Sequence, residues 1–201
     1  MALSGEYVIA AEEAMRIGGR WFISRPVRWE KFPEGVADEK TLADISFESY
    51  VAEHGALPPG TVAPDIEFIS INDEKPIKLS TLRGKVVVLD CWATWCGPCQ
   101  EPMAELQKIR VANPEWKDRV VIVSLSIDDT LKQVRGHLDK RGWTNTLNVW
   151  AGEGGWQAAP AKEVRVSGVP TCYVIDSEGK VRRAGHPAGL QVSDMVNQLL
   201  K

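Results

Sequence analysis

From residue 86 onward, short continuous apolar runs alternate with stretches whose apolar residues recur at helical spacing. Val86-Val87-Val88-Leu89-Asp90-Cys91 and Val120-Val121-Ile122-Val123-Ser124-Leu125 are almost uninterrupted runs, the pattern of strands covered on both faces. Between them, Cys99, Met103, Leu106 and Ile109 share one side of a helix predicted over Pro98 to Val111, and Pro114 lies just beyond its end. Pro102 falls inside that stretch, which predicts a kink rather than a stop. Thr130 and Gln133 form a capping-box pattern, and Leu131, Val134 and Leu138 carry an apolar stripe toward Gly142, so a second helix follows the second strand. Asn148-Val149-Trp150 and Trp156 to Val164 read as an inserted strand and helix. Thr171 to Ile175 and Val181 to Ala184 are joined by Asp176-Ser177-Glu178-Gly179-Lys180, short enough for an antiparallel pair. Val192, Val196 and Leu199 mark a final helix.

Upstream the pattern changes. Leu57-Pro58-Pro59-Gly60 blocks continuation of helix or sheet and divides the chain into an extension, residues 1–58, and a main domain, residues 59–201. In the extension, Ala14-Met15-Arg16-Ile17 and Arg20-Trp21-Phe22-Ile23 flank Gly18-Gly19, a hairpin signal because both glycines tolerate positive φ. Leu42, Ile45 and Tyr50 predict a helix over Thr41 to His54. The extension is too small to bury a core of its own, so it is expected to pack on the main domain or to be the tail of a larger upstream one.

Composition narrows the function. The 201 residues are 44% hydrophobic and 25% charged with a formal net charge of -3, and Lys and Arg are scattered, so the basic face that nucleic-acid binding requires is missing. No apolar stretch approaches the roughly 18 residues of a membrane-spanning helix. Met1-Ala2-Leu3, followed at once by strand-like sequence, reads as a trimmed start and leaves room for a targeting segment upstream.

The chemistry concentrates at Cys96-Gly97-Pro98-Cys99, a dithiol between the first apolar run and the predicted helix. A thiol at a helix N-terminus feels unpaired backbone N–H groups and the positive end of the dipole, which favours its thiolate. Cys96 is then the expected exposed nucleophile, attacking a disulfide to form a mixed disulfide that Cys99, one turn on, resolves. Gly97 permits close passage of the backbone, and Pro98 suits a first helical turn. Asp90 interrupts an apolar strand six residues earlier; burial there would raise its pKa and let it exchange a proton with Cys99, through a water. Its alternative reading is a strand-end carboxylate in solvent. A zinc site would need Cys91 and Cys172 as further ligands, but Cys91 and Cys96 are separated by Trp92 and Trp95, and no second Cys-x-x-Cys or His pair exists. No metal or other cofactor is therefore expected beyond the Cys96–Cys99 disulfide itself. Cys91 and Cys172 read as buried free thiols on adjacent strands. His54, His137 and His186 read as surface or loop histidines, and Trp92, Trp143, Trp150 and Trp156 as packing residues.

Trp92-Ala93-Thr94-Trp95-Cys96-Gly97-Pro98-Cys99, preceded by Gly60-x-x-Ala63-Pro64-Asp65 and Leu79-Ser80-x-Leu82-Arg83-Gly84-Lys85, resembles the thioredoxin superfamily, and within it the TlpA/ResA-like thiol-disulfide oxidoreductases. The resemblance spans Gly60 to Lys201 and implies an α/β thioredoxin-like fold: a central mixed sheet flanked by helices, with the inserted strand and helix typical of that subgroup. It implies Cys96 as attacking thiol, Cys99 as resolving thiol, and Pro170 as a cis-proline whose neighbour Val169 offers its backbone to a substrate strand. Trp95, Gly97 and Pro98 would flank the substrate. Asp90 matches the buried aspartate of thioredoxins proper, where many TlpA-like members carry Asn. The lysine that often accompanies it is Ser124 here, and Pro102 falls earlier than the usual proline. The resemblance further implies a protein-disulfide reductase acting in redox homeostasis on disulfide-containing protein substrates. An upstream thiol reductant, soluble or membrane-bound, would recharge it, and a bacterial, extracytoplasmic location is expected, with the cytoplasm as the alternative. Two other functions share the pattern. Peroxiredoxins have the Ala-Pro-Asp opening, but Thr usually stands three residues before their nucleophile, where this chain has Ala93. A non-catalytic binding module with an incidental disulfide is the third.

Overall fold

The computed structural model describes residues 55–201 in full, together with the backbones of two strands upstream, Ala14–Ile17 (β1) and Arg20–Ile23 (β2). The chain divides into two compact units, Met1–Glu53 and His54–Lys201. In the first, β1 and β2 pair antiparallel with Ile17 opposite Arg20, the hairpin that the flanking apolar residues predict. The helix predicted over Thr41 to His54 lies outside the described residues.

The second unit is built on a seven-stranded mixed sheet: β3 (Glu67–Ser70), β4 (Pro76–Lys78), β5 (Val86–Trp92), β6 (Val120–Ser126), β7 (Leu147–Trp150), β8 (Thr171–Ile175) and β9 (Val181–Gly185). The order across the sheet is β4-β3-β7-β6-β5-β8-β9. The two apolar runs β5 and β6 lie parallel at its centre, as their lack of alternation predicts, and β8 flanks β5 antiparallel. The inserted strand β7 adds in parallel to β6 and meets β3 antiparallel. The β3–β4 hairpin has no counterpart in the sequence reading: Glu67-Phe68-Ile69-Ser70 is too short, and Pro76-Ile77-Lys78 too polar, for a strand signal.

Among the described residues, four helices accompany the sheet: α1 (Gln100–Ala112), α2 (Leu131–Arg141), α3 (Ala159–Glu163) and α4 (Val192–Leu199). Along β5, successive side chains alternate in face. Val86 and Val88 pack with Val120, Ile122 and Val174 against Leu106 and Ile109 of α1 and Val192 and Val196 of α4. Trp116 Nε1 donates to Asn197 Oδ1 at 2.9 Å and ties this layer together. Val87, Leu89 and Cys91 belong to a second cluster with Val123, Leu125, Tyr173, Ala161 and Val164. Helix α2 begins at the predicted cap, with Thr130 Oγ1 accepting from the Gln133 N–H, and stops at Gly142, whose φ of 65° is the left-handed conformation that favours glycine. The motifs around Asp65 and Ser80 meet in space: the Asp65 carboxylate accepts from the Ser80 N–H at 2.8 Å.

The kink expected at Pro102 does not occur. A single 3₁₀ turn, Gly97–Cys99, carries the chain from β5 into α1, which starts only at Gln100 and runs unbroken to Ala112. Pro102 is thus in the first turn, where a missing N–H removes no intrahelical bond.

Candidate active site

Strand β5 ends at Trp92 and a tight loop delivers Cys96 to the mouth of α1. The Cys96 N–H donates to the Ala93 carbonyl and the Cys99 N–H to the Cys96 carbonyl, both at 3.2 Å, so the dithiol sits on consecutive tight turns. Cys96 and Cys99 are joined in a disulfide with their Cα atoms 5.3 Å apart. The peptide bond Val169-Pro170 is cis, as the resemblance implied, and the Val169 carbonyl oxygen lies 3.6 Å from Cys96 Sγ. Trp95, Gly97 and Pro98 are exposed around the disulfide, and Val169 is half-buried. The sequence-predicted substrate-facing residues thus gather on one rim.

One expectation needs correction. Cys96 is not openly exposed: only 5% of its surface is accessible, and Cys99 is wholly buried. In the disulfide form Cys96 is held against its partner and the Val169 carbonyl, which leave little of its sulfur accessible.

Asp90 is fully buried in β5, and among the described residues neither carboxylate oxygen has a hydrogen-bond partner. Burial alone raises its pKa well above the ordinary carboxylate value. The register explains the missing partner. Asp90 stands opposite Ser124 on β6 and Cys172 on β8, sharing a face of the sheet with both. The Ser124 hydroxyl, however, donates to Thr146 Oγ1 at 2.9 Å, and Thr146 donates onward to Asn148 Oδ1 at 3.2 Å. The solvent-exposed alternative for Asp90 is thereby excluded. Cys91 and Cys172 are buried free thiols on adjacent strands, but Cys91 pairs with Thr171, which puts the two thiols on opposite faces. Burial pushes both thiols up, with the nearby Asp90 adding to the shift.

Three side chains that the sequence reading overlooked hold the loop. Asp128, fully buried just past β6, accepts the Thr94 N–H at 3.1 and 3.0 Å and the Thr94 hydroxyl at 2.6 Å, while the Ser126 hydroxyl donates to it at 2.7 Å. Its own carbonyl accepts Trp150 Nε1–H at 2.6 Å. An acidic residue at the C-terminal end of the strand beside the dithiol strand was the available signal. Gln100 Nε2 donates to the Cys96 carbonyl at 3.0 Å, and Gln100 Oε1 is 2.9 Å from His137 Nε2. His137 is therefore no free surface histidine: its ring lies 5.6 Å from both Trp92 and Trp143. This packing, with the charge of Arg141 secondary, lowers its pKa. The indoles of Trp92, Trp143 and Trp150 are buried, as expected of packing residues, whereas Trp156 from the insert lies 6.0 Å from exposed Trp95 and extends the rim. Among the described residues no cluster of His, Cys, Asp and Glu fits a metal ion.

Comparison with known proteins agrees with this geometry. Residues 84–181 match the thioredoxin-like family. The chain is 28% identical over 139 residues to the thioredoxin-like protein YneN of Bacillus subtilis, covering 68% of this chain and 76% of that protein. It is 32% identical over 127 residues to the thiol-disulfide oxidoreductase ResA of Oceanobacillus iheyensis, covering 61% and 62%. The fold is similar to the thioredoxin domain of a thiol-disulfide oxidoreductase from Bacteroides vulgatus, with a TM-score of 0.60, 22% identity and coverage of 71% and 100%. It is also similar to a thiol:disulfide interchange protein from Chlorobium tepidum, with a TM-score of 0.53, 22% identity and coverage of 72% and 98%. By its sequence match, its sheet order and its paired cysteines, the chain carries a thioredoxin-like domain similar to those of thiol-disulfide oxidoreductases.

Proposed function

We propose that this oxidoreductase works as a protein-disulfide reductase through a mixed disulfide. The observation that carries the reading is the Cys96–Cys99 pair on the 3₁₀ turn that leads into α1, on a sheet whose neighbouring carboxyl, Asp90, is buried without a partner among the described residues. In the reduced protein the Cys96 thiolate attacks one sulfur of a substrate disulfide. A Cys96–substrate S–S bond forms, the substrate bond breaks, and the departing substrate thiolate takes a proton from water. The Cys99 thiol then gives its proton to Asp90 through a water and its sulfur attacks Cys96, closing the internal disulfide and breaking the Cys96–substrate bond; the second substrate sulfur leaves as a thiolate and takes a proton from water. Asp90 left protonated in the disulfide form matches the direction in which burial moves its pKa. Reduction by an upstream thiol donor runs the same steps backward and returns the proton to Cys99.

An extended substrate segment lies along the cis-proline loop, its backbone pairing with Val169 beside Pro170, and its side chains meet Trp95, Gly97 and Pro98. The domain proper spans residues 59–201, and an extracytoplasmic location suits a disulfide reductant. The direction of electron flow is tested by equilibrating the Cys96/Cys99 couple with glutathione. A reductase has a couple more reducing than the glutathione pool and reduces insulin, with Cys96→Ser inactive. A couple as oxidising as those of dedicated oxidases would overturn the reductase assignment while leaving disulfide exchange intact.

A further inference from the structure

The Cys96 carbonyl accepts two hydrogen bonds, from the Cys99 N–H at 3.2 Å and from Gln100 Nε2 at 3.0 Å. A carbonyl only accepts, so the amide nitrogen of Gln100 has to face Cys96 and its oxygen has to face His137. His137 Nε2, 2.9 Å from that oxygen, must then carry a proton and donate. This donor is present in the Nε2–H tautomer and in the imidazolium alike, so the arrangement survives protonation of the ring.

The ring is itself fixed. Trp92 and Trp143 each lie 5.6 Å from it and 6.1 Å from each other, and Trp92 is the last residue of the strand that leads into the dithiol loop. A continuous set of contacts runs from the tryptophan pair through His137 and Gln100 to the carbonyl of the attacking cysteine. Without His137, the Gln100 amide loses the contact that sets its rotamer and pays conformational entropy to stay on Cys96.

We propose that His137 is a positioning residue for dithiol chemistry, acting through Gln100 to hold the Cys96–Cys99 turn in its ring-closing form when the thiols are reduced. The inference rests on the disulfide-exchange reading above. In the disulfide form the covalent bond holds the turn; in the dithiol form the clamp does. Pre-ordering the dithiol cuts the entropy lost on closure, so the clamp stabilises the disulfide relative to the dithiol.

The test is the equilibrium of the purified protein with glutathione at pH 7. Each turnover passes two electrons and two protons from the dithiol to glutathione disulfide, forming the Cys96–Cys99 bond and breaking one glutathione S–S bond. His137→Phe keeps an aromatic ring between the tryptophans but removes the donor. Its disulfide should be about 3- to 10-fold less stable, the range of one net hydrogen bond, which raises the potential by about 14 to 30 mV. Gln100→Leu, at the half-buried first residue of α1, should do the same. The double variant should be no worse than Gln100→Leu, and His137→Gln, whose amide can donate at similar reach, should recover most of the loss. Values for His137→Phe within twofold of the parent, additive effects in the double variant, or no recovery with Gln would each overturn the proposal. Failure of the parent protein to exchange with glutathione at all would instead refute the disulfide-exchange reading.

Discussion

Asp90→Asn replaces a carboxyl that is fully buried and unpartnered with an amide of the same size that does not titrate in the neutral range. Because burial raises the folded pKa well above the ordinary 3.8, the folded chain keeps its proton to a pH at which the unfolded chain has lost it. The unfolded state therefore binds fewer protons, and stability falls as pH rises. The stabilising effect of the neutral form is complete below the ordinary carboxylate range and is lost progressively up to the folded pKa. The slope for one proton is about 1.4 kcal/mol per pH unit. Between pH 5 and pH 7 the parent should thus lose stability relative to Asp90→Asn, by at most about 3 kcal/mol, the ceiling for one proton retained throughout that range. Urea unfolding of the disulfide form, followed by tryptophan fluorescence at pH 5, 6 and 7, measures the difference directly, since the active-site thiols do not titrate in that form. Parallel stability curves for parent and variant would refute the reasoning, because they would mean that Asp90 is ionised or paired in the folded protein.

Asp128→Ala strips the Thr94 N–H, the Thr94 hydroxyl and the Ser126 hydroxyl of their acceptor. It should cost about 2 to 4 kcal/mol in urea unfolding and slow insulin reduction, because the loop leading into Cys96 loses its anchor; a loss below about 0.5 kcal/mol would show that solvent satisfies those groups equally well. Trp156→Ala removes the aromatic neighbour 6.0 Å from Trp95. With a pair of this kind contributing about 0.5 to 1.5 kcal/mol, KM for a protein disulfide should rise about 2- to 10-fold with little change in kcat, whereas an unchanged KM would place Trp156 outside the substrate rim.

The central strands and the dithiol were legible because their signals are local. Continuous valine and isoleucine runs need no tertiary information to read as buried strands, and Cys96 and Cys99 lie within one turn of each other. Asp90 was legible because a charged residue in such a run stands out against its neighbours. The β3–β4 hairpin was not, since its strands are short and β3 owes its place to pairing with β7, a contact about 80 residues away along the chain, with β4 added at the edge. Asp128 and His137 were missed for the same reason: each acts on a residue 34 to 37 positions distant, Thr94 and Gln100 respectively, and neither carries a motif of its own. Pro102 was misjudged by two residues of helix boundary, because the 3₁₀ turn at Gly97–Cys99 delays the start of α1. Cys96 looked exposed because sequence does not reveal how the disulfide and the Val169 carbonyl close over it.

Mass spectrometry of the reduced Cys99→Ser protein after incubation with oxidised insulin tests the division of labour between the two cysteines. A stable adduct carried by Cys96 alone is expected, released by dithiothreitol, with Cys91 and Cys172 unmodified in their buried sites. No adduct, or one carried by Cys91 or Cys172 with Cys96 untouched, would contradict it.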